Sequence, residues 1–441
     1  MKSFKFIVAL SLARRIQRRH GLAALTVVMI LFFVMAMVAA YTNRNLIFEQ
    51  RIATNSYRAN RALEAADAGV EWTVAMLNGG RIDARCQPSI IVTNTDFRHR
   101  YHTDAPANAN GEGGYDVAWA DISDNRVYPA CVNREGALSC ICPTVAAEAL
   151  AIGGTADSLR SAFRIEFLRP GNAVRPGAIE FAARGCASVG VDQSACTSQT
   201  HTTLPSVDGL SGALTTVGLV RALPIPPIAA LTAGTSIDSS EGGLRVPAGN
   251  PSTAIALQAG TISRNPAADT LDGPALENPA LSGVTSEQWF RAMFGQDSDT
   301  YQRQPAVRFI DCTGGCTSVN LTNELSRYPR NPIWVKGDLN LNAADELGYV
   351  DNLRKEPLML VVTGQLTLSA GAQIIGFVHA DRIVWSAAAT TASVRGAMVA
   401  RTTFVANGLA TLTYDRSVLD IVRLRYGSFV RVPGSWNLIF R

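Results

Sequence analysis

Proline and glycine are nearly missing from the first part of this 441-residue chain. The first proline is Pro88, and between residues 22 and 78 the only glycine is Gly69. Because both residue types interrupt helices, their scarcity excludes an early turn and predicts one long helix over residues 22–78, ended by the Asn-Gly-Gly at residues 78–80. At about 1.5 Å per residue, this helix is roughly 85 Å long.

Motifs of familiar catalytic sites are also missing. The sequence contains no G-x-S-x-G elbow, no P-loop and no G-x-G-x-x-G turn. Its five histidines are dispersed, and His99 and His102 lie near no third residue that would complete a metal site. We therefore predict that the protein is not an enzyme and has no cofactor, catalytic residue or metal site.

Acidic residues are absent from the stretch before Gly21, which is strongly basic. Its six cationic residues are Lys2, Lys5, Arg14, Arg15, Arg18 and Arg19. Removing these six charges from the formal total of +4 leaves −2 for the rest of the chain. The basic character thus belongs to the N-terminus and predicts no nucleic-acid partner. Because cations flanking an apolar segment stay in the cytoplasm, we expect the remainder to be exported.

The apolar segment is residues 22–40, LAALTVVMILFFVMAMVAA, which carries no charge. A helix of this length nearly crosses a hydrocarbon layer of about 30 Å. A cleavable signal peptide is the alternative, since Val38 and Ala40 are small enough for a cut ahead of Tyr41. However, the segment is longer than the usual signal-peptide core of about 7–15 residues, which favours a lasting membrane span.

An amphipathic helix continues directly from this span. Apolar residues recur there at three- and four-residue steps, at Ala59, Leu63, Ala66, Val70, Val74 and Leu77. Charged residues lie between them. The pattern predicts that one face of the helix packs on a globular head.

A family resemblance rests on this same region. A basic leader ending in glycine, an apolar helix and the stretch EQRIATNSYRANRALEAADAGVEW together resemble the PilX family of type IV pilus assembly proteins, with its pattern E-R-x-A-x-N…A-x-x-A-A-E-A. The matching residues are Glu49, Arg51, Ala53, Asn55, Ala62, Ala65, Ala66, Asp67 and Ala68. Asp67 stands where the family commonly has glutamate.

The resemblance implies a minor pilin with a prepilin-type N-terminus. Prepilin peptidase would cut after Gly21, leaving an N-methylated Leu22, and the helix would pack in the core of a pilus. Major pilins have glutamate at the fifth mature position, where it neutralises the N-terminal ammonium of a neighbouring subunit. This chain has Thr26 there. A threonine forms no such ion pair, which suits a rare, priming or tip position.

The resemblance also implies partners and a location. The partners are other minor and major pilins, prepilin peptidase, a large tip adhesin and, before assembly, membrane lipid. The location is the bacterial inner membrane, with a single span and an exported C-terminal part, and then the cell-surface pilus.

All eight cysteines lie beyond the apolar segment. They are Cys86, Cys131, Cys140, Cys142, Cys186, Cys196, Cys312 and Cys316. An even count after a span indicates disulfides in an oxidising compartment. A zinc site is the alternative, but no doubled C-x-x-C array is present.

Local spacing favours two disulfides, Cys186 with Cys196 and Cys312 with Cys316. The cysteines at 140 and 142 are too close in sequence to bridge each other without strain. We expect them to pair with the two cysteines upstream, in a connectivity that the sequence leaves open.

The exported part is predicted to be α+β near the helix and β-rich beyond it. Phe163, Ile165 and Phe167 alternate with polar residues and predict a half-buried strand. Later, QIIGFVHADRIVWSA and SVRGAMVARTTFVAN resemble each other at an offset of twenty residues. Their matched pairs are Gly376/Gly396, Ala380/Ala400 and the apolar pairs 378/398, 384/404 and 385/405. Repeats of this length predict the stacked rungs of a β-helix, with a β-sandwich as the alternative.

These observations divide the chain into four parts. We predict a basic leader over 1–21, a transmembrane and amphipathic helix over 22–78, a cysteine-containing α+β head over 79–205, and a β-rich domain, with a β-helix as the favoured fold, over 206–441. The favoured function is a minor pilin that primes or joins pilus assembly. The alternative is a membrane-anchored β-helical protein that binds carbohydrate or cleaves polysaccharide.

Overall fold

The computed structural model describes most of the chain. The described residues are 5–104, 115–117, 128–134, 136–143, 160–168, 177–188, 209–252, 254–350, 354–387 and 392–438. Side chains are described throughout these ranges except at 5–23, 103–104 and 115–117.

A single long helix, α1 (Lys5–Leu77), forms the N-terminal region. It continues through the predicted leader junction at Gly21 without a break. Its C-terminal end is fixed by Asn78, whose side-chain amide donates to the carbonyl oxygens of Val74 and Phe429 and accepts from the Phe429 N–H at 2.8 Å. The helix therefore ends where the sequence predicts, and the residue that follows it is hydrogen-bonded to a strand near the C-terminus.

An antiparallel sheet packs against the second half of α1. Its described strands, in spatial order, are β23 (Gly427–Arg431), β7 (Gly209–Arg221), β6 (Ala178–Ser188), β5 (Arg160–Leu168), β3 (Ala130–Arg134) and β4 (Ala137–Ile141), with β24 (Asn437–Leu438) beside β7. Phe163, Ile165 and Phe167 on β5 are buried, as the alternation predicts. Helix α2 (Phe97–Tyr101) and the small antiparallel pair β1 (His102–Asp104) and β2 (Tyr115–Val117) lie beside this sheet.

The core between helix and antiparallel sheet is aromatic. Trp72 of α1 meets the ring of Phe97 edge-on, with 5.3 Å between centroids, and Phe97 in turn contacts Tyr101 and Phe167. Rings of this kind bury large areas and interact at favourable edge-to-face angles. This core anchors α1 on the head.

Disulfides close the same region. Cys86 is bonded to Cys142, and Cys131 to Cys140 across the β3–β4 pair. The cysteines at 140 and 142 thus reach the two upstream cysteines, as expected, and the structure supplies the connectivity. In the β-rich part, the locally favoured pair Cys312 and Cys316 is also bonded.

The other locally favoured pair is only partly within the described residues. Cys186 is disulfide-bonded. Cys196 lies outside the described residues, so its pairing with Cys186 stays a prediction.

The β-rich part is built on a second sheet whose described pairings are all parallel. Its described strands are β8 (Ala229–Asp238), β9 (Gly243–Val246), β10 (Ile255–Ser263), β11 (Thr270–Leu271), β12 (Ala275–Glu277), β13 (Arg308–Thr317), β14 (Ile333–Leu341), β15 (Glu346–Leu347), β18 (Leu358–Leu368), β19 (Gln373–Trp385), β20 (Ser393–Ala400), β21 (Thr403–Ala406) and β22 (Leu409–Tyr414). A short antiparallel pair, β16 (Tyr349–Val350) and β17 (Lys355–Glu356), lies apart from it. The predicted long helix and large β-rich part are both confirmed.

Short helices cover or connect the strands of this part. They are a 3₁₀ turn (Pro279–Gly283), α3 (Ser286–Phe294), α4 (Ser298–Gln302), α5 (Ser318–Arg327) and α6 (Arg416–Arg425). Helix α3 begins with a capping box, in which Thr285 and Gln288 bond reciprocally.

The twenty-residue similarity corresponds to neighbouring strands, with one correction. Gly376 pairs with Gly396, Ala380 with Ala400 and residue 378 with 398, as predicted. Beyond this point the offset becomes 21, so that Ile383 pairs with Phe404 and the residue at 384 with 405. The predicted pairs 384/404 and 385/405 are therefore wrong, because one extra residue lies between β20 and β21.

The antiparallel sheet contains strands from both sides of the predicted boundary at residues 205 and 206. Strands β7 and β23 both follow that boundary in sequence, yet they belong to the antiparallel sheet. They are neighbours there, with Gly427 opposite Arg221, and the Ala222 N–H donates to the Tyr426 carbonyl at 2.8 Å. The parallel sheet is thus inserted between two adjacent strands of the head.

Buried ion pairs join the two parts. Arg330, in the turn that follows α5, contacts Asp96 at 2.6 Å and Glu356 at 3.3 Å, and Arg81 contacts Glu356 at 2.8 Å. All four side chains are nearly inaccessible to solvent. Since removing one member of a buried pair leaves an uncompensated charge, this cluster fixes the contact between head and parallel sheet.

Candidate functional site

The predicted processing site lies within helix α1. Gly21 and Leu22 are helical, and Thr26 is one turn further on, with an exposed side chain. The structure therefore places the three predicted site residues together on one helix, outside the folded head.

The first half of α1 exposes large apolar side chains. Phe32 is 73% exposed and Met35 69%, and their neighbours between Leu25 and Val38 are similarly exposed. By length and composition, this is one helix that could cross a membrane. Apolar side chains in such a continuous series indicate a surface that is covered by lipid or by protein.

The exposed surface continues past the apolar segment. Between Tyr41 and Tyr57 the helix still exposes Leu46, Phe48 and Ile52. Charged residues are interspersed on this stretch, including Glu49 and Arg51 of the family pattern, both exposed. This middle stretch therefore combines apolar and charged groups on a free helix, as expected of a surface that packs against other helices outside the lipid.

The second half of α1 is packed on the antiparallel sheet through small residues. Ala62 and Ala66 are fully buried, and Gly69 faces the ring of Phe163. A Cβ atom on Gly185 would collide with the carbonyl oxygen of Ala62, and one on Gly209 would lie 2.5 Å from the carbonyl oxygen of Arg58. The alanines of the family pattern thus allow a close approach of helix and strand backbones.

The acidic residue of the family pattern lies at the edge of this contact. Asp67 and Glu71 are on the solvent side of α1, and Arg431 of β23 contacts them at 3.8 Å and 2.6 Å. Ala68 and Asn55, by contrast, are exposed and face away from the sheet. The pattern therefore contains both packing positions and free positions.

One residue that fixes this arrangement was not predicted as a site. Asn78 is buried, and besides its bonds to Phe429, its carbonyl oxygen accepts from Arg308 and from the Asn331 amide. The sequence marks it only as the end of a helix. Its contacts are hundreds of residues away in sequence, so no local pattern indicates them.

Comparison with known proteins decides the family of this region. A family model described as "PilX N-terminal" matches residues 21–71. Residues 21–71 are thus similar to the N-terminal region of the PilX family. The match begins at Gly21 and covers the exposed half of α1 and most of its packed half, so the predicted resemblance is confirmed over these residues. Pilins are structural proteins, which agrees with the prediction that the protein is not an enzyme.

The other comparisons add little to the PilX assignment. The crystal structure of competence-associated pilin ComZ from Thermus thermophilus aligns with 87% of this chain and 98% of its own, at 9% identity and a TM-score of 0.19. A score this low carries no weight for fold or function. No curated protein matches the chain.

No metal site accompanies the PilX region within the part of the chain that the structure describes. There, no group of three or more histidine, cysteine or acidic side chains could hold an ion. The cysteines whose pairs are described form disulfides, so the predicted preference for disulfides over zinc holds for them.

Proposed function

We propose that this protein is a minor pilin that primes or joins type IV pilus assembly. The observation that supports this proposal is the contrast between a fully exposed apolar helix half and a tightly packed second half, within a PilX-type region. In the membrane the apolar half is covered by lipid. In the filament it packs against the corresponding helices of other pilins.

The first step of the proposal is cleavage after Gly21 by prepilin peptidase, with methylation of Leu22. Mass analysis of the mature N-terminus tests this directly. We expect a methylated Leu22 in the wild type, the uncleaved chain in Gly21→Val, and normal cleavage in the matched control Leu22→Phe. A mature chain that starts at Tyr41 or at Met1 would contradict the proposal.

The second step concerns position in the filament. With Thr26 in place of a carboxylate, the helix has no anion to neutralise the N-terminal ammonium of a subunit already in the filament core. A charge left unpaired in an apolar core is costly. We therefore propose that the protein occupies a first or tip position, next to other minor pilins and a large adhesin.

Thr26→Glu tests this position. We expect the variant to appear along the shaft in immunogold images of pili, whereas the wild type and Thr26→Ser stay at the ends. Equal labelling of the shaft by wild type and variant would contradict a tip position.

For the exported part, we propose that the parallel sheet winds as a β-helix. The parallel stacking of β14, β18, β19 and β20 supports this, as does the pair Gly376 and Gly396, which have φ of +154° and +135° and lie opposite each other in neighbouring strands. An experimental structure that showed two antiparallel sheets packed face to face would overturn this proposal.

A further inference from the structure

A cavity of about 200 Å³ lies between helix α3 and the outer face of the parallel sheet. Its walls combine two aromatic side chains, Phe290 and Trp334, with the polar side chains of His379, Asp381, Arg401 and Glu287. None of these residues belongs to the PilX region or contributes to the surface proposed for filament assembly.

The parallel register brings these residues together. Trp334, residue 361 and His379 follow one another on β14, β18 and β19, so their side chains form a ladder on one face of the sheet. Asp381, two residues after His379 on β19, forms an ion pair with Arg401, which directly follows β20. Helix α3 lies over the ladder, and Phe290 meets the His379 ring edge-on at a centroid distance of 6.0 Å.

His379 is the most unusual group in this cavity. It is 5% exposed, yet neither ring nitrogen has a hydrogen-bond partner. Nearby, the indole N–H of Trp289, which belongs to α3 itself, and the hydroxyl of Thr232 on β8 are also buried without a hydrogen-bond partner. Leaving such a group unpaired costs about 1–3 kcal/mol, and buried polar atoms in native proteins normally bond to protein, water or ligand. The two ring nitrogens of His379 are therefore available to a molecule that enters the cavity.

The charges of the cavity walls restrict which kind of molecule can bind there. Burial lowers the pKa of His379 to about 4, against the raising effect of Asp381, so its ring is neutral at pH 7 and offers one donor and one acceptor. Asp381 is paired with Arg401, and Glu287 accepts from the Ser298 N–H at 3.3 Å and from its hydroxyl at 3.1 Å. An anion would meet two carboxylates, and a cation would meet a guanidinium, so a neutral molecule fits best.

We propose that this cavity binds one neutral sugar ring, presented at the end of a polysaccharide or glycan. The hydroxyls of a sugar both donate and accept, which matches a neutral imidazole beside a carboxylate and a guanidinium. Its apolar C–H face matches Phe290 and Trp334. The volume is below the roughly 300–1,000 Å³ of pockets for drug-sized ligands, which limits the site to a single ring. Asp381 and Arg401 are partly exposed and form the mouth through which the glycan enters.

Saturation-transfer NMR on the full chain tests the proposal. The protein is held in a detergent without a sugar headgroup, such as lauryldimethylamine oxide, and D-glucose, D-galactose, D-mannose and N-acetyl-D-glucosamine are added in turn. We expect at least one of them to give a saturable signal. No saturable signal from any of the four would overturn the proposal.

Two variants and a control locate the binding. His379→Phe removes both nitrogens but keeps an aromatic ring, so we expect at least a tenfold weaker affinity with no loss of thermal stability. Asp381→Asn serves as the second variant if the first does not fold, and the same loss is expected. Arg382→Gln, on the exposed side of the same strand, is the control and should bind like the wild type. Unchanged sugar affinity in the folded cavity variants would refute the site. Displacement of the bound sugar by sulfate would also refute it, because the proposed site binds a neutral molecule and not an anion.

Discussion

The two halves of helix α1 differ in which side chains they expose and which they bury. The first half is apolar on all sides and exposes bulky residues such as Phe32, whereas the second is apolar along one side and buries small residues such as Ala62 and Ala66. Bulky exposed side chains gain free energy only when another molecule covers them. Small residues permit backbones to approach within this chain. One helix thus serves assembly at one end and folding at the other.

The comparison also shows what each half requires of its surroundings. The packed half depends on glycines in the sheet, on the aromatic core around Trp72 and on Asn78 at its end. The exposed half depends on nothing else in the described part of the chain. Substitutions should therefore separate assembly from folding.

The largest expected effect comes from placing charge in the exposed half. Val28→Lys combined with Phe32→Lys should abolish retention in the membrane, because each lysine at the centre of a spanning helix costs about 3 kcal/mol. Membrane fractionation measures this loss, and thermal unfolding of the head should be unchanged. Val28→Leu with Phe32→Leu is the matched control. Retention of the double lysine variant would show that this half is not a membrane segment.

The next largest effect is expected from adding volume to the sheet where it contacts the packed half. Gly185→Ala places a Cβ against the Ala62 carbonyl oxygen, which overpacks the interface and should destabilise the head by about 3 kcal/mol. Gly283→Ala is the control, since nothing lies near its Cβ position, and its change should stay within about 0.5 kcal/mol. Chemical denaturation of the full chain in detergent measures both. Equal stability of the two variants would disprove the close approach.

A smaller effect is expected at the end of the packed half. Asn78→Ala leaves the backbone N–H and carbonyl of Phe429 buried without their side-chain partner, which should cost about 2–3 kcal/mol. Hydrogen exchange at the Phe429 amide should rise along with the loss of stability. Asn437→Ala, at an exposed position, should change neither quantity.

The smallest effect concerns the exposed edge of the packed half. Arg431→Ala removes the ion pairs to Asp67 and Glu71, whose side chains are largely exposed, so the cost should be about 0.5 kcal/mol or less and should vanish at high salt. Denaturation at low and at high salt measures it. A salt-independent loss of several kcal/mol would mean that Arg431 acts by packing instead.

Much of the helical region could be predicted because its signals are local. The scarcity of proline and glycine and the stop at residues 78–80 define the helix, and the family pattern identifies Ala62 and Ala66 as special positions. The sequence could not show that these alanines face Gly185, because that contact depends on a strand that lies more than a hundred residues away.

For the β-rich part, the repeated strands could be predicted, but their full register and their neighbours in space could not. Gly376 and Gly396 are recognisable as equivalent because they occupy the same place in the two similar stretches, and a Cβ on either would meet a backbone oxygen of the neighbouring strand. The slip to an offset of 21 was missed, since apolar residues at 404 and 405 satisfy either register. The cavity at His379 was also missed, because a lone histidine on a strand carries no local sign of its neighbours.

The pairing of β7 with β23 gives the molecule an unusual plan. The whole parallel unit takes the place of the loop between two paired strands of the antiparallel sheet. Its two ends are held together by the backbone hydrogen bond between Ala222 and Tyr426. Because the entropic cost of closing a loop grows only with the logarithm of its length, a head of this design accepts a very large insertion at little thermodynamic expense. The head and the inserted parallel sheet can therefore change in size independently of each other.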